Sequence, residues 1–168
     1  MKLLAVRHAV AEEREAFAAT GQDDAARPLT TDGRKRMKQI AKGLAREVPK
    51  IDVLATSDLA RAVQTAWIFA GAYDDVAPVP IEPLRPDGEL AALLAWLRQQ
   101  DPRHTIAVVG HEPHLGIAVS WLLTGKKQSI ISLKKGAACF LDLGEIPTAG
   151  QAALEWMATP GILRRLGA

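Results

Sequence analysis

A chain of 168 residues with 48% apolar residues can bury one sizeable core, and its length demands no second domain, so residues 1–168 are expected to form a single domain. The formal net charge is only +2, with basic residues scattered among acidic ones, which argues against a broad cationic surface for nucleic acid. The lone Cys139 excludes an intrachain disulfide and reads as a buried structural thiol, and no run is long and apolar enough to span a membrane. Leu3 to Val6 reads as a buried strand, which Arg7 and His8 cut off long before a signal-peptide core is complete. A cytoplasmic location is therefore expected. A polar loop runs on to Arg27 and Pro28. Thr31 is the expected N-cap of a helix carrying Met37, Ile40, Ala41, Leu44 and Val48 on one face, with Pro49 ending it.

Val53 to Thr56 is the second strand, and Leu59 to Ala70 the second helix, closing at Gly71. Val79 to Ile81, between prolines, suits a short edge strand. Leu90, Leu93, Leu94 and Leu97 share one helical face, Thr105 to Val109 is the next strand, and Pro113 opens a helix that Gly125 terminates. Ile130 to Leu133, Ala138 to Leu143 and Ala153 to Met157 predict two or three antiparallel strands. This alternation predicts an α/β fold, a three-layer sandwich whose mostly parallel central sheet is flanked by helices, with antiparallel strands in the C-terminal part.

In open α/β sheets, ligand sites collect beyond the carboxyl ends of the strands. Three polar clusters fall there: Arg7 and His8, Ser57 to Arg61, and Gly110 to His114. A pocket holding Arg7, Arg61, His8 and His111 is cationic, and guanidinium forks match the oxygens of a tetrahedral oxyanion, phosphate foremost. Helices starting near Asp58 and Pro113 would aim positive dipole ends at the same place. No phosphate-binding glycine loop is present, so side chains must do the holding. A neutral imidazole is a competent nucleophile. Neighbouring cations disfavour its protonated form, and a carbonyl that accepts the proton of one ring nitrogen frees the other to attack phosphorus.

Val6-Arg7-His8-Ala9 resembles the Arg-His-Gly signature of the histidine phosphatase superfamily, the phosphoglycerate mutase-like proteins, with alanine in place of glycine. Ser57 to Ala66 resembles its second-arginine segment and Val109 to Pro113 its second-histidine segment, all in family order. Arg27-Pro28-Leu29-Thr30 with Gly33, and the short length, are similar to the SixA-type phosphohistidine phosphatases. The resemblance spans nearly the whole chain. It implies His8 as the phosphorylated nucleophile, Arg7 and Arg61 as phosphate ligands, and His111 as the second pocket histidine. It implies a metal-independent hydrolase without a cofactor, acting on a phosphorylated protein such as a histidine phosphotransfer domain or on a small phosphorylated metabolite, with no nucleic-acid or membrane partner.

Other assignments stay open on sequence alone. Glu89, Asp87, Glu12 and Glu112 compete as general acid, a role less needed when the leaving group is an imidazole. The short interval from Arg61 to His111 leaves little room for a lid, which favours a protein substrate over a metabolite. Arg27 either contacts substrate or pairs with Asp23 or Asp24, and Ser57 either orients phosphate or caps the following helix. His111, Glu112 and His114 could form half a metal site, though the arginines oppose a cation. His104 reads as a solvated loop residue. The basic face Arg34, Lys35, Arg36, Lys38 and Lys42 is read as solvated or as a docking surface. Trp67, Trp96, Trp121 and Trp156 are read as core. A phosphate-binding module without turnover is the contrasting function.

Overall fold

A computed structural model describes residues 1–73 and 76–168. Its elements are β1 (Lys2–Arg7), α1 (Arg14–Ala18), α2 (Thr31–Glu47), β2 (Val53–Thr56), α3 (Ala60–Ala70), β3 (Pro78–Pro80), α4 (Leu90–Arg98), β4 (Thr105–Gly110), α5 (His114–Thr124), β5 (Ala138–Asp142), β6 (Ala153–Ala158) and α6 (Pro160–Leu166). They form a six-stranded sheet in the order β3-β2-β4-β1-β5-β6. The first four strands in that order run parallel, while β5 and β6 are antiparallel to their neighbours.

The central strands are apolar on both faces because helices cover both. In β1, Leu4 and Val6 face one core, with Met37 and Leu44 of α2, Phe69 of α3 and Leu163 of α6. Leu3 and Ala5 face the other, with Leu97 of α4 and Leu115 and Val119 of α5. Each fully buried Leu or Phe contributes about 1.5–3 kcal/mol, so these alternating residues hold the register that fixes the strand ends. Cys139 is fully buried in the second core, and burial pushes its thiol up to about 12.

Several expectations are corrected. The cap of α2 is Thr30, not Thr31: its hydroxyl accepts from Gly33 N at 2.9 Å. Ile130 to Leu133 is not a strand, because its backbone is used elsewhere. Ile130 N donates to Ser120 Oγ at 2.9 Å, Leu133 N to the Glu112 carboxylate at 3.0 Å, and Leu133 O accepts from Arg7 at 2.7 Å. A final helix, α6, was missed, although Thr159 capping Ile162 N and Pro160 in the first turn are the signals of a helix start. Trp67 is not core, being 57% exposed, whereas Trp96, Trp121 and Trp156 are half-buried and pack against the two cores. His104 is half-buried rather than solvated. Lys35, Arg36, Lys38 and Lys42 are exposed, while Arg34 is half-buried and donates to Gln64 Oε1 at 2.8 Å.

Candidate active site

Strand register assembles the site. Arg7 stands opposite Gly110 in the β1–β4 pair, so the residues that follow, His8 and His111, leave the sheet side by side. Their rings lie 5.0 Å apart, centroid to centroid, tilted by 52°. Thr56 of β2 stands opposite Val109, which delivers Ser57 to the same end. The two histidines and Arg61 are almost fully buried.

The two histidines have different partners. His8 Nδ1 lies 2.7 Å from its neighbour's carbonyl, Ala9 O. A carbonyl only accepts, so Nδ1 carries the proton and Nε2 keeps its lone pair. Ala9 N in turn donates to Thr65 Oγ1 at 3.0 Å, and Thr65 donates to Arg61 O at 2.7 Å. One threonine hydroxyl thus ties the His8 loop to the helix that carries Arg61. His111 Nε2 lies 2.6 Å from Ser57 Oγ, and its Nδ1 is buried without a partner.

Both imidazoles are held neutral. Burial lowers the His8 pKa to about 4, assisted by the charges of Arg61, Arg7 and Lys135 and opposed by the hydrogen bond to Ala9. Burial lowers His111 to about 3, with His8, Arg61, His114 and Arg7 adding to the effect. The cations are anchored from behind. Arg7 Nη1 donates to Leu133 O at 2.7 Å, and Arg61 Nη1 to Asp24 O at 3.0 Å, with Asp24 Oδ2 at 3.2 Å. The Nε of each guanidinium is buried without a partner. Burial raises the Asp24 carboxyl, but the Arg27 hydrogen bond and the charges of Arg61, Arg27 and Arg14 outweigh it and keep Asp24 ionised.

Arg7, His8, Arg61 and His111 line one cleft of about 240 Å³, with Glu12, Arg27 and Glu112 also on its wall. Glu89 and Asp87 line a different depression beside α4, so Glu89 does not reach this cleft. Glu112 is fastened by Leu133 N and is half-buried. The exposed Glu12 and Glu13 are the remaining carboxylates on the cleft wall. Arg27 takes the ion-pair option: its Nε meets Asp24 Oδ1 at 2.8 Å and its Nη1 donates to Glu12 O at 2.7 Å. The first turn of α3 has no side-chain cap; Ser57 Oγ meets His111 Nε2 and also accepts, at 3.4 Å, from the backbone N–H of Leu59, the residue at the N-cap position. His114 Nε2 is bonded to Gly88 O at 2.9 Å, so it does not converge with His111 and Glu112 as metal ligands would. Among the described residues, no group of three His, Cys, Asp or Glu stands together to hold a metal.

Sequence reasoning missed Lys135, Arg14 and Glu13 on the cleft wall, Asp24 as the shared anchor of three arginines, and Thr65 as a tether. Only Thr65, four residues beyond Arg61 on one helix face, left a readable signal.

The chemistry available is that of a neutral, oriented imidazole facing two fixed guanidinium groups and a second imidazole, an arrangement suited to attack on a bound tetrahedral oxyanion. The family model described as histidine phosphatase superfamily (branch 1) matches residues 3–85. An uncharacterized protein of Picosynechococcus sp. is 38% identical over 148 residues, which cover 82% of this chain and 87% of that protein. The solved structure of the protein histidine phosphatase SixA complexed with tungstate is similar over 97% of this chain and 99% of that one, with a TM-score of 0.82 and 23% identity. The α-ribazole phosphatase from Shigella flexneri is similar over 95% and 97%, with a TM-score of 0.74 and 16% identity. At such identities the structures share the fold.

Proposed function

Because this chain belongs to the histidine phosphatase superfamily, we propose that it is a metal-independent phosphatase that forms a phosphohistidine on His8 and acts on phosphohistidine in a protein. The observation that carries this reading is the Ala9 carbonyl on His8 Nδ1, which leaves Nε2 as a nucleophile buried beside two arginines.

In the proposed reaction, His8 Nε2 attacks phosphorus in line. The new N–P bond forms as the bond from phosphorus to the leaving group breaks, and that group departs with its electron pair and takes up a proton. Arg7, Arg61 and an N–H of His111 hold the equatorial oxygens, where charge is spread in the transition state. Water then attacks the phosphohistidine, releasing inorganic phosphate and restoring His8. Tungstate in the SixA structure is itself a tetrahedral oxyanion, which fits a site of this charge.

Support for this substrate class comes from what surrounds the cleft. Glu112 is fastened to backbone, and Glu12 and Glu13 are exposed at the rim, so among the described residues no wall carboxylate is both buried and free to protonate a leaving group. An imidazole leaving a phosphoramidate needs less acid assistance than an alkoxide, which favours phosphohistidine. A phosphomonoester reading keeps one support: Glu12 and Glu13 at the mouth of the cleft as proton donors.

The test compares a phosphohistidine protein, a sugar phosphate and a nucleotide as substrates in the presence of EDTA, with trapping of labelled enzyme by an alkaline denaturing quench, in which the N–P bond survives. Turnover of the phosphohistidine protein and label on His8 support the proposal. Full activity in His8→Ala, or loss of activity in EDTA, overturns it.

A further inference from the structure

A second cleft, of about 360 Å³, opens beside the first, and the two share Arg7 and Lys135. Its floor is apolar, formed by Met37 and Ile40 of α2 with Val10 and Pro160, while its cations come from four separate parts of the chain, Arg7 at the end of β1 being one. Arg36 belongs to α2, Lys134 and Lys135 to the loop before β5, and Arg164 to α6. Among the described residues, no carboxylate lines it. Arg36 meets Asp32 in an exposed ion pair at 2.7 Å, a contact worth little in water, and Arg164 Nε is buried without a partner. Gly136 keeps the floor open: its φ is +79°, and a Cβ there would lie 2.8 Å from Ile40 Cδ1. Its backbone N–H donates to Arg7 O and His8 O at 3.1 and 3.2 Å, so the wall of this cleft is continuous with the nucleophile's loop.

We infer that this cleft is a docking subsite for a polypeptide segment that carries carboxylates and an apolar side chain and flanks the phosphorylated residue of the substrate. The inference rests on the phosphatase reading and names its partner. Charge complementarity carries it: five cations, of which Arg36 is shared with Asp32 at the surface, surround an apolar floor with no carboxylate among its described lining residues, and a carboxylate-bearing segment with one apolar residue answers both. Arg7 would join the halves, its guanidinium serving phosphate on one side and the flanking segment on the other. Separately, part of the basic face of α2 then has a task beyond solvation, and the Lys134-Lys135 pair gains one.

The experiment uses the full chain and two phosphohistidine peptides, one with Asp and Leu next to the phosphorylated residue and one with Lys in place of Asp. Phosphoramidate is the internal reference for chemistry. The expected result is a KM about tenfold lower for the acidic peptide, the scale of one or two screened ion pairs, and a preference within about twofold in the Arg36→Ala/Arg164→Ala double variant. A thermal melt close to that of the parent chain certifies the double variant's fold. Equal KM values for the two peptides, or a preference that persists in the double variant, overturn the inference. If neither peptide is hydrolysed while a phosphomonoester is, the substrate reading has failed, and fluorescence anisotropy with the unphosphorylated acidic peptide decides the docking question. Binding that is lost in the double variant supports the subsite, and absence of binding overturns it. Tighter binding of a small bisphosphate, lost in the same variant, assigns the cleft to a metabolite and also overturns it.

Discussion

The loops that follow β1 and β4 start from the same position in adjacent parallel strands, and each begins with a histidine, yet the two side chains are prepared for different work. In the first loop a backbone carbonyl, Ala9 O, fixes the His8 tautomer, and Thr65 accepts from the amide N–H of the same residue. In the second, a hydroxyl that can donate or accept meets His111, and one ring nitrogen has no partner. A carbonyl leaves no choice of proton position, whereas a hydroxyl does. Rigid tautomer control suits a nucleophile, and adaptable hydrogen bonding suits a group that holds oxygens whose charge changes during reaction.

Breaking the first loop should cost most. Under the proposed mechanism His8→Ala removes the nucleophile, lowering kcat by about 10⁴-fold or more and abolishing the phosphoenzyme trapped by an alkaline denaturing quench. His111→Ala should lower kcat/KM by about 10²–10³-fold, the scale of losing one oxyanion donor, while label still forms slowly on His8. Equal losses in the two variants, with no label in either, would erase the distinction between the loops.

Acid should act on both loops together. The folded pKa values, about 4 for His8 and about 3 for His111, lie below the ordinary imidazole value of about 6.5. Between these limits the unfolded chain binds protons that the folded chain refuses, so stability is full above about pH 6.5 and falls as the pH drops toward 4 and 3. Denaturant midpoints measured across this window should decline, and the decline should be shallower in His8→Asn/His111→Asn. The rate should hold down to about pH 4–5 and fall as His8 protonates.

The smaller effects sharpen the contrast. Thr65→Val leaves Ala9 N without its acceptor in a buried site, which should cost about 1–3 kcal/mol in a denaturant melt and reduce kcat with little change in KM. Ser57→Ala should reduce kcat by about threefold to tenfold, the scale of one weakened neutral hydrogen bond, and displace the His111 imidazole signal in NMR while leaving that of His8 in place.

Much of this molecule was readable before its fold was seen. The β1, β2 and β4 segments announce themselves because strands covered on both faces must be apolar throughout, and α2 and α4 because an apolar stripe recurs every three or four residues. The segment Ile130 to Leu133 misled for the same reason: it is apolar because Ile131 and Leu133 are buried, but its backbone groups are spent on Glu112, Ser120 and Arg7 rather than on a ladder. Trp67 misleads in the opposite sense, since an aromatic in an apolar helix reads as core and stands exposed.

Sequence alone determined that Arg7, His8 and His111 fall at strand ends and Arg61 in the segment after β2, because strand termination and the change from apolar to polar residues are local events. Tertiary structure alone decided how they are used. Register set His8 beside His111, burial made both imidazoles neutral, and contacts between segments far apart in the chain supplied Asp24 behind Arg61, Ser57 on His111 and Lys135 beside the cleft. Those contacts depend on distances and desolvation that exist only once the sheet has closed between its two helical layers.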